Sequence, residues 1–134
     1  MNKKASFDLA AFDDLKAAQE DGISVEILHP GTGEPLGPVI VVAGPDSSYA
    51  RKADRLMTTR RLRGRKMKTI TADELREEGL KKLATCVLSW AGISDGGKEM
   101  ECNFENALLV FERHPFIAEQ VAEVAAERAA FFTS

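Results

Sequence analysis

Two runs with strand character flank a connection too rich in glycine and proline to be anything but a turn. Residues 23–28 (ISVEIL) alternate, with Ile23, Val25 and Ile27 on one side and Ser24 and Glu26 on the other. That is the pattern of a half-buried strand. Residues 39–43 (VIVVA) are a continuous, mostly β-branched run and read as a second strand. Between them, residues 29–38 (HPGTGEPLGP) hold three glycines and three prolines. The simplest topology is an antiparallel hairpin with a long loop. Two strands alone are marginal in water, so this hairpin requires a helix packed on it or a third strand.

The remaining chain is patterned for helices. Residues 7–20 place Phe7, Ala11, Leu15 and Phe12 at helical spacing, with Ser6 as cap, Asp8 in the first turn and Gly22 as stop. The alternative for residues 1–22 is a loosely tethered arm. After Gly44 and Pro45, Asp46 or Ser47 caps a helix whose apolar stripe is Tyr49, Ala53, Leu56 and Met57. Gly64 is expected to end it, and residues 64–70 read as a mobile connector. Thr71 and Glu74 form a capping box. The helix behind it is expected to run to about Trp90, since Leu80, Leu83, Val87 and Trp90 share one face. Residues 92–98 (GISDGGK) are a turn. Asn103 caps a helix through about Glu112 that is expected to bury Phe104, Leu108 and Phe111. Pro115 pre-sets a last helix carrying Ile117, Val121, Val124 and Phe131 or Phe132 on one face. The expected fold is α+β and mostly helical: an early β-hairpin, then four helices around residues 75–91.

A chain of 134 residues predicts a single domain spanning 1–134. No run of 18 apolar residues exists, so no membrane span is expected. The N-terminus has Lys3 and Lys4 but no apolar stretch behind them, unlike a secretory signal. Cys86 and Cys102 are too few for a disulfide framework, and a cytoplasmic location is the expectation.

Most chemistries lack the residues they need. The spacing of Gly31, Gly33 and Gly37 departs from the dinucleotide fingerprint, and a strand follows where a helix is required. His29, His114, Cys86 and Cys102 lack the close pairing of zinc ligands. Asp13-Asp14 and Glu77-Glu78 are adjacent on helices and point apart. No nucleophile–base or acid–base constellation is visible, so the expectation is a protein that is not an enzyme and carries no cofactor or metal. Trp90 and Cys86 read as core residues.

Charge is the unusual feature. Residues 51–68 contain Arg51, Lys52, Arg55, Arg60, Arg61, Arg63, Arg65, Lys66 and Lys68 against a single acid, Asp54. The segment carries +8, so a chain of net charge −3 carries −11 everywhere else. Such asymmetry concerns partners, not fold. Three uses stay open: a solvated face running into a loop, a contact for an acidic protein, and a nucleic-acid contact. A nucleic-acid contact would show steep salt dependence. Only Tyr49 is near enough to stack on bases, and the acidic remainder repels phosphate.

The order of short motifs resembles the tail assembly chaperones of long-tailed, siphovirus-type bacteriophages. The matching stretches are Val25-Glu26-Ile27-Leu28-His29-Pro30-Gly31-Thr32-Gly33, then Gly37 to Gly44 (GPVIVVAG) with Asp46-Ser47. A basic helical middle follows. Next come Leu88-Ser89-Trp90-Ala91-Gly92, an Asp95-Gly96-Gly97 turn, and Cys102 to Leu109 (CNFENALL). His114-Pro115-Phe116-Ile117, Gln120-Val121 and the aromatic Phe131-Phe132 close the series. The likeness spans about 23–132, and the order of the motifs carries it.

That resemblance implies a non-enzymatic role in the host cell cytoplasm during virion assembly. Such chaperones bind the long helical tape-measure protein, keep it soluble, and help recruit tail tube subunits. They are absent from the finished particle, and many occur as a short form and a longer frameshifted form. This chain would be the short form. The family offers no catalytic residues to carry over. Partners are then the tape-measure protein and the tail tube protein, with self-association open. The rival readings are a nucleic-acid-associated protein using 51–68 and a minor structural or connector subunit of a virion.

Overall fold

The computed structural model describes residues 8–63 and 71–131, excluding the side chains of 60–63. The fold is α+β, with helices covering one face of a small antiparallel sheet.

The N-terminal segment is a 3-10 turn (Leu9–Phe12) running into α1 (Asp13–Asp21). Asp8 caps the turn, its carboxylate accepting the Ala10 N–H at 3.1 Å. Ser6 and Phe7, expected to open this helix, lie outside the described residues. Gly22 ends α1 with φ +84°, where a Cβ would stand 2.8 Å from Leu88 Cδ1 and 2.9 Å from the Val42 carbonyl oxygen. Only glycine reverses the chain here without strain.

Strands β1 (Ile23–Leu28) and β2 (Pro35–Val42) form the antiparallel hairpin, with Ile23 opposite Val42 and Val25 opposite Ile40. The second strand starts four residues before the β-branched run. Its Pro35 and Pro38 are tolerated because β3 pairs only with Val39–Val42, leaving the proline-bearing part with one neighbour. His29 organises the loop: its Nδ1 accepts the N–H of Gly31 at 2.9 Å and of Thr32 at 3.1 Å.

Helix α2 (Ser48–Arg63) is capped by Ser47, whose Oγ accepts the Ala50 N–H at 3.3 Å and donates to the Gly44 carbonyl at 2.6 Å. Gly64, the expected stop, lies outside the described residues. Helix α3 (Ala72–Cys86) opens on the Thr71–Glu74 box, with the Glu74 N–H donating to Thr71 Oγ1 at 3.1 Å.

The expectation that this helix runs to Trp90 is wrong. It ends at Cys86, and Val87–Ala91 form a third strand, β3, antiparallel to β2. Val87 takes an extended backbone with φ −72° and ψ 121°. The junction is stitched by the Ala43 N–H donating to the Cys86 carbonyl at 2.8 Å. The i, i+3, i+7, i+10 series that ends at Trp90 straddles a helix and a strand. What overrides it is the open edge of β2, which gains a hydrogen-bonded neighbour. The later helices therefore centre on α3 of residues 72–86, which three of them pack against, and not on one helix of 75–91.

Past Gly92, the expected turn is a miniature hairpin of β4 (Ser94–Asp95) and β5 (Lys98–Glu99). Gly96 and Gly97, at φ +58° and +85°, supply its two-residue turn. Trp90 Nε1 donates to the Met100 carbonyl at 2.9 Å, clamping this hairpin to the sheet. Asn103 caps α4 (Phe104–Arg113), its Oδ1 accepting the Asn106 N–H at 2.8 Å. Pro115 begins α5 (Pro115–Ala125), and a 3-10 turn (Arg128–Phe131) follows. The expected long last helix is thus divided. Phe131 is buried from the separate turn, and Phe132 lies outside the described residues.

The core lies between sheet and helices. Ile27, Ile40 and Val42 meet Phe111 of α4 and Val121 of α5, and all five are fully buried. Truncating Phe111 to alanine would cost about 3–5 kcal/mol.

Candidate functional site

Helix α3 is flanked by two open apolar grooves, one against α5 and one against α2. The α5 groove has a volume of about 600 Å³. Its walls are small: Gly79 on α3, Ala118 and Ala122 on α5, and Gly44 and Ala50 from the turn before α2 and its first turn. Leu83 and Cys86 form its floor, and Arg76, Lys82 and Glu119 stand among the lining residues. Lys82 Nζ is held by Asp54 at 2.8 Å, so its charge is partly spent inside the molecule.

The α2 groove has a volume of about 530 Å³. One wall is Tyr49, Lys52, Ala53, Leu56 and Met57 of α2. The other is Lys81, Ala84 and Thr85 of α3, with Val87 and Phe104 at the end. The expected α2 stripe is therefore present, but only Ala53 of it is buried. Tyr49 is 39% exposed, Leu56 55% and Phe104 45%. Phe104, expected in the core, is a correction. It occupies the first position of α4 and faces this groove while Phe111, two turns on, takes the core. Leu108 is half-buried against the core.

The basic residues are only partly placed. Arg51, Lys52 and Arg55 are exposed on α2. Arg60, Arg61 and Arg63 belong to the same helix, but their side chains lie outside the described residues, as do Arg65, Lys66 and Lys68 entirely. Of the nine, Lys52 lines a groove. Residues 64–70, expected to be mobile, also lie outside the described residues.

The α2 N-terminus is anchored by a polar cluster that the sequence did not reveal. Glu20 accepts the Ser48 N–H and, at 2.8 Å, the Ser48 hydroxyl, which lowers its pKa and places a carboxylate on a helix N-terminus. Gln19, buried, accepts the Asp46 N–H at 2.7 Å and donates to Asp46 Oδ2 at 3.1 Å. Arg128 completes the cluster with two hydrogen bonds to the same carboxylate. So α1 is a helix pinned to the body, and α2 presents its groove from a fixed base.

Among the described residues no three His, Cys, Asp or Glu side chains gather to hold a metal ion. Cys86 lies under the α5 groove, where burial pushes its thiol up to about 11. Among the described residues no helix is long and apolar enough to cross a membrane. Comparison with protein-family models, with curated proteins and with solved structures yields no match for this chain.

Proposed function

We propose that this chain is a non-enzymatic assembly chaperone of the phage-tail type, which binds the helical tape-measure protein, keeps it soluble and helps recruit tail tube subunits. The observation that carries the proposal is the pair of apolar grooves along α3. A groove between helices receives an amphipathic helix through anchors at i, i+3, i+4 and i+7. Unpartnered apolar surface of this kind marks protein-interaction sites. The order of sequence motifs described above supports this family reading, and the tape-measure protein is a long helix of the shape such grooves take.

The test is co-expression with the tape-measure protein encoded nearby. Its soluble fraction and co-purification are measured with and without this chain. The chaperone reading expects the tape-measure protein to be soluble only as a stable complex. A tape-measure protein that stays insoluble, with nothing co-purifying, would overturn it. Recovery of this chain from finished particles would instead favour a structural subunit.

A further inference from the structure

We infer that the α2–α3 groove, rather than the α3–α5 groove, is the docking site for an amphipathic helix whose flanks are acidic. The inference rests on the chaperone reading and adds which groove is used and what helix it selects. The first observation is the kind of side chain left open. The α3–α5 groove is lined largely by small residues, its Leu80 and Leu83 being half-buried and buried, whereas the α2–α3 groove leaves Tyr49, Leu56 and Phe104 about half exposed. Large, partly exposed aromatic and aliphatic groups lose the most water-facing apolar area when a partner covers them.

The second observation is a helix face that the described elements leave largely uncovered. Tyr49, Lys52, Ala53, Leu56 and Met57 fall at i, i+3, i+4, i+7 and i+8 of α2. That is the spacing of a face made to be covered, and within the fold only Ala53 is buried by it. Helix α2 has 16 residues and is about 24 Å long, room for four turns of a partner lying alongside.

The third observation is charge. Lys52 and Lys81 stand in opposite walls, and among the described residues no carboxylate lines the groove. Among the described residues Lys52 has no ion-pair partner, and Lys81 reaches Glu77 at a long 3.4 Å. The α3–α5 groove instead mixes Arg76 and Lys82 with Glu119. A helix with leucines on one face and glutamates beside them satisfies both walls at once. Its glutamates would meet the lysines where docking excludes water, strengthening the attraction and making encounter salt-dependent. A nucleic-acid strand is the poorer fit, since the walls are mostly apolar and, among the described residues, offer only Lys52 and Lys81 as cations to track a phosphate backbone.

The test uses the full chain and two labelled synthetic helices of about 18 residues. Both carry leucine at i, i+3, i+4 and i+7; one has glutamate at the flanking positions and the other lysine. Fluorescence anisotropy is read at low and moderate salt. The acidic helix is expected to bind at least about tenfold tighter than the basic one, and to weaken with salt. Leu56→Ser, an exposed change that leaves the core intact, is expected to weaken it about tenfold or more. Lys52→Glu with Lys81→Glu is expected to reverse the preference between the two peptides. Equal binding of the two, or unchanged binding by Leu56→Ser and by the double charge reversal, would overturn the inference. So would full displacement of the acidic helix by an equal amount of single-stranded DNA. Peptide binding alongside a failed tape-measure co-expression would remove the proposed partner and leave the groove assignment standing. The converse result would remove the groove assignment alone.

Discussion

Arg128 holds Asp46 across 82 residues of sequence, its Nε 2.7 Å from Oδ2 and its Nη2 2.8 Å from Oδ1. The pair joins the turn after α5 to the residue before the α2 cap. It also fixes a carboxylate that Gln19 shares. Arg128 first, then Gln19, hold the Asp46 carboxyl down at about 2, against an ordinary 3.8. The Arg128 guanidinium is correspondingly raised.

A carboxyl whose folded pKa is lowered adds stability that is fully present above about pH 4. That contribution is lost as pH falls toward 2. Arg128→Gln removes the larger cause. The loss of stability between about pH 4 and 2 should become shallower in the variant, read by urea melts at stepped pH. The Asp46 side chain is 44% exposed, so the neutral-pH cost should stay under about 1 kcal/mol. An unchanged acid slope would mean that Gln19 alone sets the carboxyl.

Gln120 of α5 acts as a fragment of strand. Its Oε1 accepts the Leu28 N–H and its Nε2 donates to the Leu28 carbonyl, both at 2.8 Å. Strand β1 is a sheet edge, and edges with open backbone groups invite pairing with other chains. Gln120→Ala should lower stability by about 1 kcal/mol. It should also increase concentration-dependent association in sedimentation velocity. Gln120→Glu keeps the acceptor and loses the donor, so it should fall between wild type and alanine. Equal behaviour of all three would show that the edge needs no cover.

The two thiols should separate cleanly. Cys86 is 5% exposed with its pKa pushed up to about 11, whereas Cys102 is half-buried and raised by burial alone. The thiolate is the reactive form. With a disulfide reagent at about pH 8, one thiol per native chain should react promptly. Cys102→Ser should abolish that phase. Cys86 should react only as fast as the protein opens. Prompt loss of both thiols would mean that the α5 groove floor is open in solution.

What the sequence disclosed was local, and what it hid was long-range. Residues 23–28 gave β1 to the residue because alternation is a property of neighbouring positions. The Thr71 box, the Asn103 cap and Pro115 at the start of α5 are likewise written within one turn of chain. Val87 to Ala91 misled because their apolar spacing suits a helix continued from α3. Only the free edge of β2, 45 to 52 positions earlier, makes them strand. The same limit governs the candidate site. The α2 stripe was legible, but its exposure was not, since that depends on where α3 and Phe104 stop. The basic run drew attention to α2, and Lys81, which completes the groove's charge, gave no signal outside its own helix. No pattern connects Gln19, Asp46 and Arg128 before the fold brings them together.

One substitution should have opposite signs at two glycines. Gly79 sits inside α3, and a Cβ there meets nothing within 4 Å because it opens onto the α3–α5 groove. Its backbone is ordinary helix, so alanine restricts the unfolded chain without strain. Gly79→Ala should therefore stabilise the fold by about 0.5–1 kcal/mol. Gly44 faces the buried Gln19, where a Cβ would stand 2.5 Å from Cγ and 2.7 Å from Cβ of that side chain. Those atoms are the near end of a side chain held at its far end by Asp46, so they have nowhere to move. Gly44→Ala should cost about 1–3 kcal/mol by overpacking. It should also loosen the anchor of α1, visible as faster amide exchange at Ser48 and Ala50 with little change at Phe111. A stabilising Gly44→Ala would show that Gln19 is free to leave its site. A destabilising Gly79→Ala would show that the α3–α5 groove is closed in solution.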